Sequence, residues 1–180
     1  MTNKFSINFV ERATSSKEGD GYFHSFVALI PEGGITGEFE EQTQKLHFLE
    51  DQTFHRFIPI VSQGAGRRRD LGLTIDKYLD GEEAVLLPRW NCLLEQAAQV
   101  RKNGCIPFNA MRTNCRSGAK AAIESMGFVF RDDFAKSSVG LGPHDFPPFE
   151  VFTFDKNNPA HTDIEVMRTR NQELIARLAS

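Results

Sequence analysis

At 180 residues the chain is long enough for one domain with a sizeable hydrophobic core. Its composition is that of an ordinary globular protein, 40% hydrophobic and 25% charged with a formal net charge of -3. That balance argues against general affinity for nucleic acid or anionic membrane. The basic run Arg67-Arg68-Arg69 is followed at once by Asp70 and reads as a solvated loop. Three cysteines, Cys92, Cys105 and Cys115, are too few for a disulfide framework and point to a reducing compartment. No window is apolar for long enough to predict a membrane span. Cytoplasmic placement is expected, and delivery into another cell's cytosol stays open. The oligomeric state is left open too.

In chain order, residues 4–10 alternate around Phe5, Ile7 and Phe9, predicting an edge strand. A polar stretch leads to a second strand over 22–30, which Pro31 and the Gly33-Gly34 pair break. A run at 44–49 returns, and a further run at 53–61 follows closely, so an antiparallel meander is predicted. Pro59 places the end of that last strand on an edge or at a bulge. Residues 73–79 fit no single pattern. Pro88 suits the first turn of a helix whose face is Trp90, Leu93, Leu94 and Ala97, with Gly104 as its stop.

The extended segment 105–112 then gives way at Asn114-Cys115 to a helix carrying Ala119, Ala122, Ile123 and Met126, closed by Gly127. Phe128-Val129-Phe130 and 149–154 read as short strands. The last segment is a helix over 162–178 opened by a Thr162/Glu165 capping box. The predicted architecture is a single α+β domain over 1–180, a small antiparallel sheet packed with helices.

Cys115 is the leading candidate nucleophile. A cysteine in the first turn of a helix faces unpaired backbone N–H groups and the positive end of the helix dipole, which favour the thiolate. Its followers Arg116, Ser117 and Gly118 are small or polar, which packing alone does not explain. Cys92 reads as a core residue on an apolar helix face, and Cys105 has no helix terminus to activate it. Among the histidines, His24 and His47 fall on two strands predicted to pair, where they can share a face. His55 and His161 read as surface residues, and His144 lies in a Gly/Pro-rich loop. Clustered ligands at zinc spacing are missing, as are a phosphate-binding glycine loop and a Gly-x-Ser-x-Gly elbow, so no metal or cofactor is expected.

Strand histidine, hairpin, helix, then Asn114-Cys115 on a helix ending in Gly127 resembles the circularly permuted papain-like cysteine hydrolases. The relatives in question are the PPPDE peptidases and the lecithin:retinol acyltransferase-like proteins, with NlpC-type peptidases more distant. The resemblance covers about residues 21–130 and rests on short motifs. It implies a permuted papain-like core over about 21–154, Cys115 as nucleophile and His24 as base. It puts the third, orienting residue on the next strand, at His47 or else Gln44. The implied activity is hydrolysis of a peptide, isopeptide or ester bond through a thiolate–imidazolium pair, with a peptide, protein or acyl group as substrate. Acyl transfer through the same cysteine is the alternative, and a non-catalytic interaction module is a third reading. Two features depart from the pattern: the acidic loop from Glu32 to Glu41, and Arg116-Ser117 in place of the Asn- or Glu-His pair common after that cysteine. The loop at 32–41 and the Arg67–69 loop are expected to face the substrate.

Overall fold

The computed structural model describes residues 3–13, 23–33, 42–51, 53, 56–64, 73–103, 106–107, 109, 111–134, 155 and 157–180. The second strand expected at 149–154 lies outside these residues, as do Cys105, His55, His144, the Arg67–69 loop and most of the acidic loop.

Among the described residues, six strands form one antiparallel sheet: β1 (Lys4–Ala13), β2 (Phe23–Pro31), β3 (Gln44–Asp51), β4 (Arg56–Gln63), β5 (Thr74–Glu82) and the short β6 (Ile106–Pro107). Their spatial order is β5-β1-β2-β3-β4-β6. The meander β2–β3–β4 is therefore present, and the fold is α+β. β1 is not an edge strand, because β5 pairs along its outer side; its alternation reflects Phe5, Ile7 and Phe9 on the core face. Of residues 73–79, ambiguous in sequence, all from Thr74 on belong to that edge strand. Pro59 lies on the part of β4 beyond its two-residue pairing with β6. There its missing N–H breaks no ladder, and its carbonyl accepts a hydrogen bond from Arg101 Nη1 at 3.1 Å.

Helices α1 (Glu83–Asn103), α2 (Cys115–Ser125), α3 (Pro159–Thr162) and α4 (Ile164–Ala179), with a short 3-10 turn at Asp132–Phe134, complete the described elements. α1 starts five residues before Pro88, which sits inside the helix; Glu83 opens it directly from the end of β5. Trp90, Leu93, Leu94 and Ala97 are fully buried and join Ile7, Phe9, Val27, Leu29, Leu46 and Phe48 in the main core. The sheet's other face carries a smaller cluster, Val10, Phe26, Ala28 and Ile30. β2 is thus buried on both faces, which is why its residues from Phe26 to Ile30 read as a continuous apolar run rather than an alternation.

Two local expectations are corrected. Phe128-Val129-Phe130 forms no strand; Phe130 instead drops into the core, edge-on to Phe9 at 5.0 Å between ring centres. The cap of α4 is Asp163, whose side chain accepts from the Glu165 and Val166 amides, while Thr162 ends the separate turn α3.

A buried polar chain ties the helices to β3. Trp90 Nε1 donates to Gln44 Oε1 at 2.7 Å, and Gln44 Nε2 donates to Asn171 Oδ1 at 2.9 Å. Asn171 Nδ2 in turn donates to Asn91 Oδ1 at 2.7 Å. Every member has a partner, so the network specifies how α1 and α4 seat on the sheet.

Candidate active site

Cys115 is the first residue of α2, and its placement is built by the residues before it. Asn109 and Thr113 exchange backbone hydrogen bonds of 3.1 and 2.8 Å, closing a tight loop that delivers the chain to Asn114. Asn114 has extended backbone and caps the helix: its side-chain oxygen accepts from the Arg116 and Ser117 amides at 3.0 and 3.2 Å. Ser117 Oγ reaches back to the Asn114 amide at 3.0 Å, a reciprocal capping box. One turn on, Gly118 lies so close to β3 that a Cβ there would overlap the ring of Phe48. The missing side chain lets α2 press onto the sheet, with the thiol at its leading end.

The β2–β3 ladder runs only from Phe26 opposite His47 to Leu29 opposite Gln44. β2 residues 23–25 pair with β1 but have no partner on β3. The half-buried thiol fills that opening. Sγ lies 4.0 Å from the Phe23 carbonyl oxygen, and the Ser25 amide points at it. The sulfur therefore touches the backbone on either side of His24.

Burial pushes the Cys115 thiol above its ordinary pKa; the Ser25 amide, the Arg116 guanidinium and the helix-start amides pull the other way without overcoming it. The helix terminus favours the thiolate, as expected for this position, but desolvation is the larger effect.

His24 and His47 share a face. His24 Nε2 and His47 Nδ1 are 2.8 Å apart, and His47 Nε2 lies 2.9 Å from Ser62 Oγ. The two imidazoles stack with centres 5.1 Å apart, and Phe26 packs against both. In one direction of this chain Ser62 accepts from His47, His47 accepts from His24, and His24 Nδ1 is left with its lone pair free. Burial, followed by the charge of Arg12, lowers the His24 pKa from 6.5 to about 4. Burial also holds His47 well below the usual histidine range, with His24, Arg12 and Lys45 adding to the effect. Both rings are neutral at pH 7.

The alternation of β2 sets the histidines apart from the thiol. His24 lies with Phe26 on the face opposite the helices, whereas α2 and Cys115 sit on the helical face. Cys115 thus meets the backbone around His24 but makes no hydrogen bond to its ring. Gln44, the other candidate for the third position, points to the helical face and is committed to Trp90 and Asn171. Cys92 is half-buried on α1, less enclosed than a core position implies. His161 is half-buried, its Nδ1 accepting from the Asp155 amide at 3.2 Å.

Ser62 and the pair Glu11–Arg116 were not among the candidates. Arg116 Nε donates to Glu11 Oε1 at 2.8 Å, and Ser25 Oγ donates to the same oxygen at 3.0 Å. Ser62 carries one signal in sequence, since it sits two residues past the position opposite His47 in the meander. A glutamate and an arginine 105 positions apart carry none.

Comparison with protein families, with curated proteins and with solved structures finds no match to this chain. Among the described residues no helix is long and apolar enough to cross a membrane.

Proposed function

We propose that the protein is a cysteine-dependent hydrolase of amide or ester bonds, with Cys115 as nucleophile, His24 as general base and His47 as the residue that orients it. The observation that carries this reading is the seat of the thiol. It lies at the edge of β2 beyond the end of the β2–β3 ladder, against the Phe23 carbonyl and the Ser25 amide, which flank a histidine already hydrogen-bonded to a second one. The order of the three residues along the chain, with the two histidines on an antiparallel sheet and the cysteine at a helix start, supports a permuted papain-like reading.

The chemistry follows from the tautomer in which His24 Nδ1 is the free acceptor. The ring lies across β2 from the thiol, so this reading requires His24 to swing around the β2 edge, where residues 23–25 have no β3 partner, before that nitrogen meets the sulfur. Catalytic hydrogen bonds are often long before substrate arrives. At rest both groups are neutral, so the thiolate–imidazolium pair forms on approach and is not held in advance. The sulfur attacks the substrate carbonyl as its proton passes to His24 Nδ1. The Cys115 amide at the helix start is a donor for the oxyanion, a contribution of about 3 kcal/mol in other enzymes. The imidazolium returns the proton to the departing amine or alcohol, leaving an acyl-thioester on Cys115. Water, deprotonated by His24, then releases the acid; another acceptor in its place would make the same site an acyltransferase.

The test is covalent. Incubation of the folded protein with a p-nitrophenyl ester should give a burst of nitrophenol and an acyl mass increment on the Cys115 peptide. Iodoacetamide near neutral pH should label Cys115 ahead of Cys92 and Cys105, and His24→Ala should abolish that preference. Equal, slow labelling of all three cysteines with no acyl adduct would instead identify a non-catalytic interaction module.

A further inference from the structure

Arg116 and Glu11 are among the most enclosed charges in the described structure, their side chains 6% and 0% exposed. The two residues lie directly beside the thiol: Arg116 follows Cys115 on α2, and Glu11 sits on β1 opposite Ser25, whose amide faces the sulfur. Burying two charges is expensive, and an apolar pair of the same volume is commonly as stable or more so. Stability alone therefore gives no reason for an ion pair here. The pair also has a defined geometry. Glu11 Oε1 receives both the Arg116 guanidinium and the Ser25 hydroxyl, so one carboxylate oxygen joins β1, β2 and the first turn of α2.

We propose that Glu11 and Arg116 are positioning residues for the Cys115 nucleophile: the carboxylate pins the guanidinium, and through it the first turn of α2, so that the sulfur is held against the Phe23 and Ser25 backbone of β2 with a fixed cation one residue away. This rests on the hydrolase reading. The position is where the resemblance noted above expects a different residue pair, so the device belongs to this chain. The Arg116 guanidinium of α2 acts on the sulfur directly; Glu11 of β1 holds that guanidinium, while Arg12 of β1 and His47 of β3 act on His24 of β2.

The decisive variant is the double substitution Glu11→Leu with Arg116→Met, which removes both charges and keeps an apolar filling. It should fold, as circular dichroism and a cooperative melt will show. Cys115 should then react with iodoacetamide about threefold more slowly at pH 7, with its pH midpoint displaced upward by about half a unit. Arg116→Lys, which keeps a cation, should stay close to the wild-type midpoint. A folded double variant with the wild-type rate and midpoint would overturn the proposal and leave the pair as a structural lock. If the double variant does not fold, Glu11→Asp carries the test, because it draws the carboxylate back by one methylene. Slower labelling supports the proposal, and an unchanged profile overturns it. A wild-type Cys115 that forms no acyl adduct defeats the hydrolase reading; the shift between wild type and variant judges the positioning.

Discussion

The imidazole chain asks different things of its three members. His24 Nδ1 is the atom proposed to take the thiol proton, while His47 acts on it through the 2.8 Å contact at Nε2 and Ser62 acts on His47 through a 2.9 Å contact. Loss of a general base removes roughly a 10²–10⁴-fold contribution, and loss of the residue that orients it removes less, since the thiol and base survive. His47→Ala should therefore lower the acylation rate while leaving measurable turnover. His47→Asn, whose side-chain oxygen can accept from His24 Nε2, should recover a large part of it. Rate measurements with the ester probe decide this. Wild-type turnover in His47→Ala would remove His47 from the site, and Gln44 would not replace it, being held on the opposite face by Trp90 and Asn171.

Among the elements, α2 shows most directly how packing places chemistry. Its start is set locally by the Asn114–Ser117 capping box, and its end by Gly127 in the left-handed region, at φ 88°. Its depth on the sheet is set by Gly118 against Phe48. A methyl group at Gly118 must displace that ring or lift the helix, overpacking of a kind that costs about 1–3 kcal/mol. The intrinsic preference of alanine over glycine in a helix, about 1 kcal/mol, opposes this and is the smaller effect. Gly118→Ala is thus expected to destabilise the protein in urea unfolding and to slow Cys115 labelling, because the thiol leaves the β2 edge with the helix. A variant at least as stable as wild type would show that α2 adjusts without strain.

For the molecule as a whole, the buried histidines make stability depend on pH. His24 has a pKa of about 4 when folded against 6.5 for the exposed side chain. Between these values the unfolded chain binds the proton and the folded chain does not, so stability falls as pH drops from about 6.5 to about 4 and then levels off. The largest loss from His24 is about 3 kcal/mol, and His47, lowered in the same direction, adds to it. Urea midpoints at pH 7.5, 6 and 4.5 should decline in that order, and His24→Phe should flatten the decline. Equal midpoints across the series would mean that the pair is not held neutral by burial.

Much of this architecture follows from local rules. Alternation and breaks at Pro31, Gly33 and Gly34 predict the meander, and an asparagine before Cys115 with a glycine at 127 bounds α2, because caps and turns are read within a few residues. Two histidines on adjacent strands are enough to anticipate a shared face, since side chains on a strand repeat every two residues. Other features depend on partners far away in sequence. β1 looks like an edge strand until β5 returns beside it, and the start of α1 at Glu83 follows from its abutment on β5. Phe130 gives up a strand to fill space against Phe9. Sequence by itself also leaves open which face of β2 the helices cover, because a strand buried on both sides has no polar face to mark it. That choice belongs to the tertiary structure: it sets the thiol at the edge of β2 on the helical side, the imidazoles across the strand, and the Glu11–Arg116 pair beneath the sulfur.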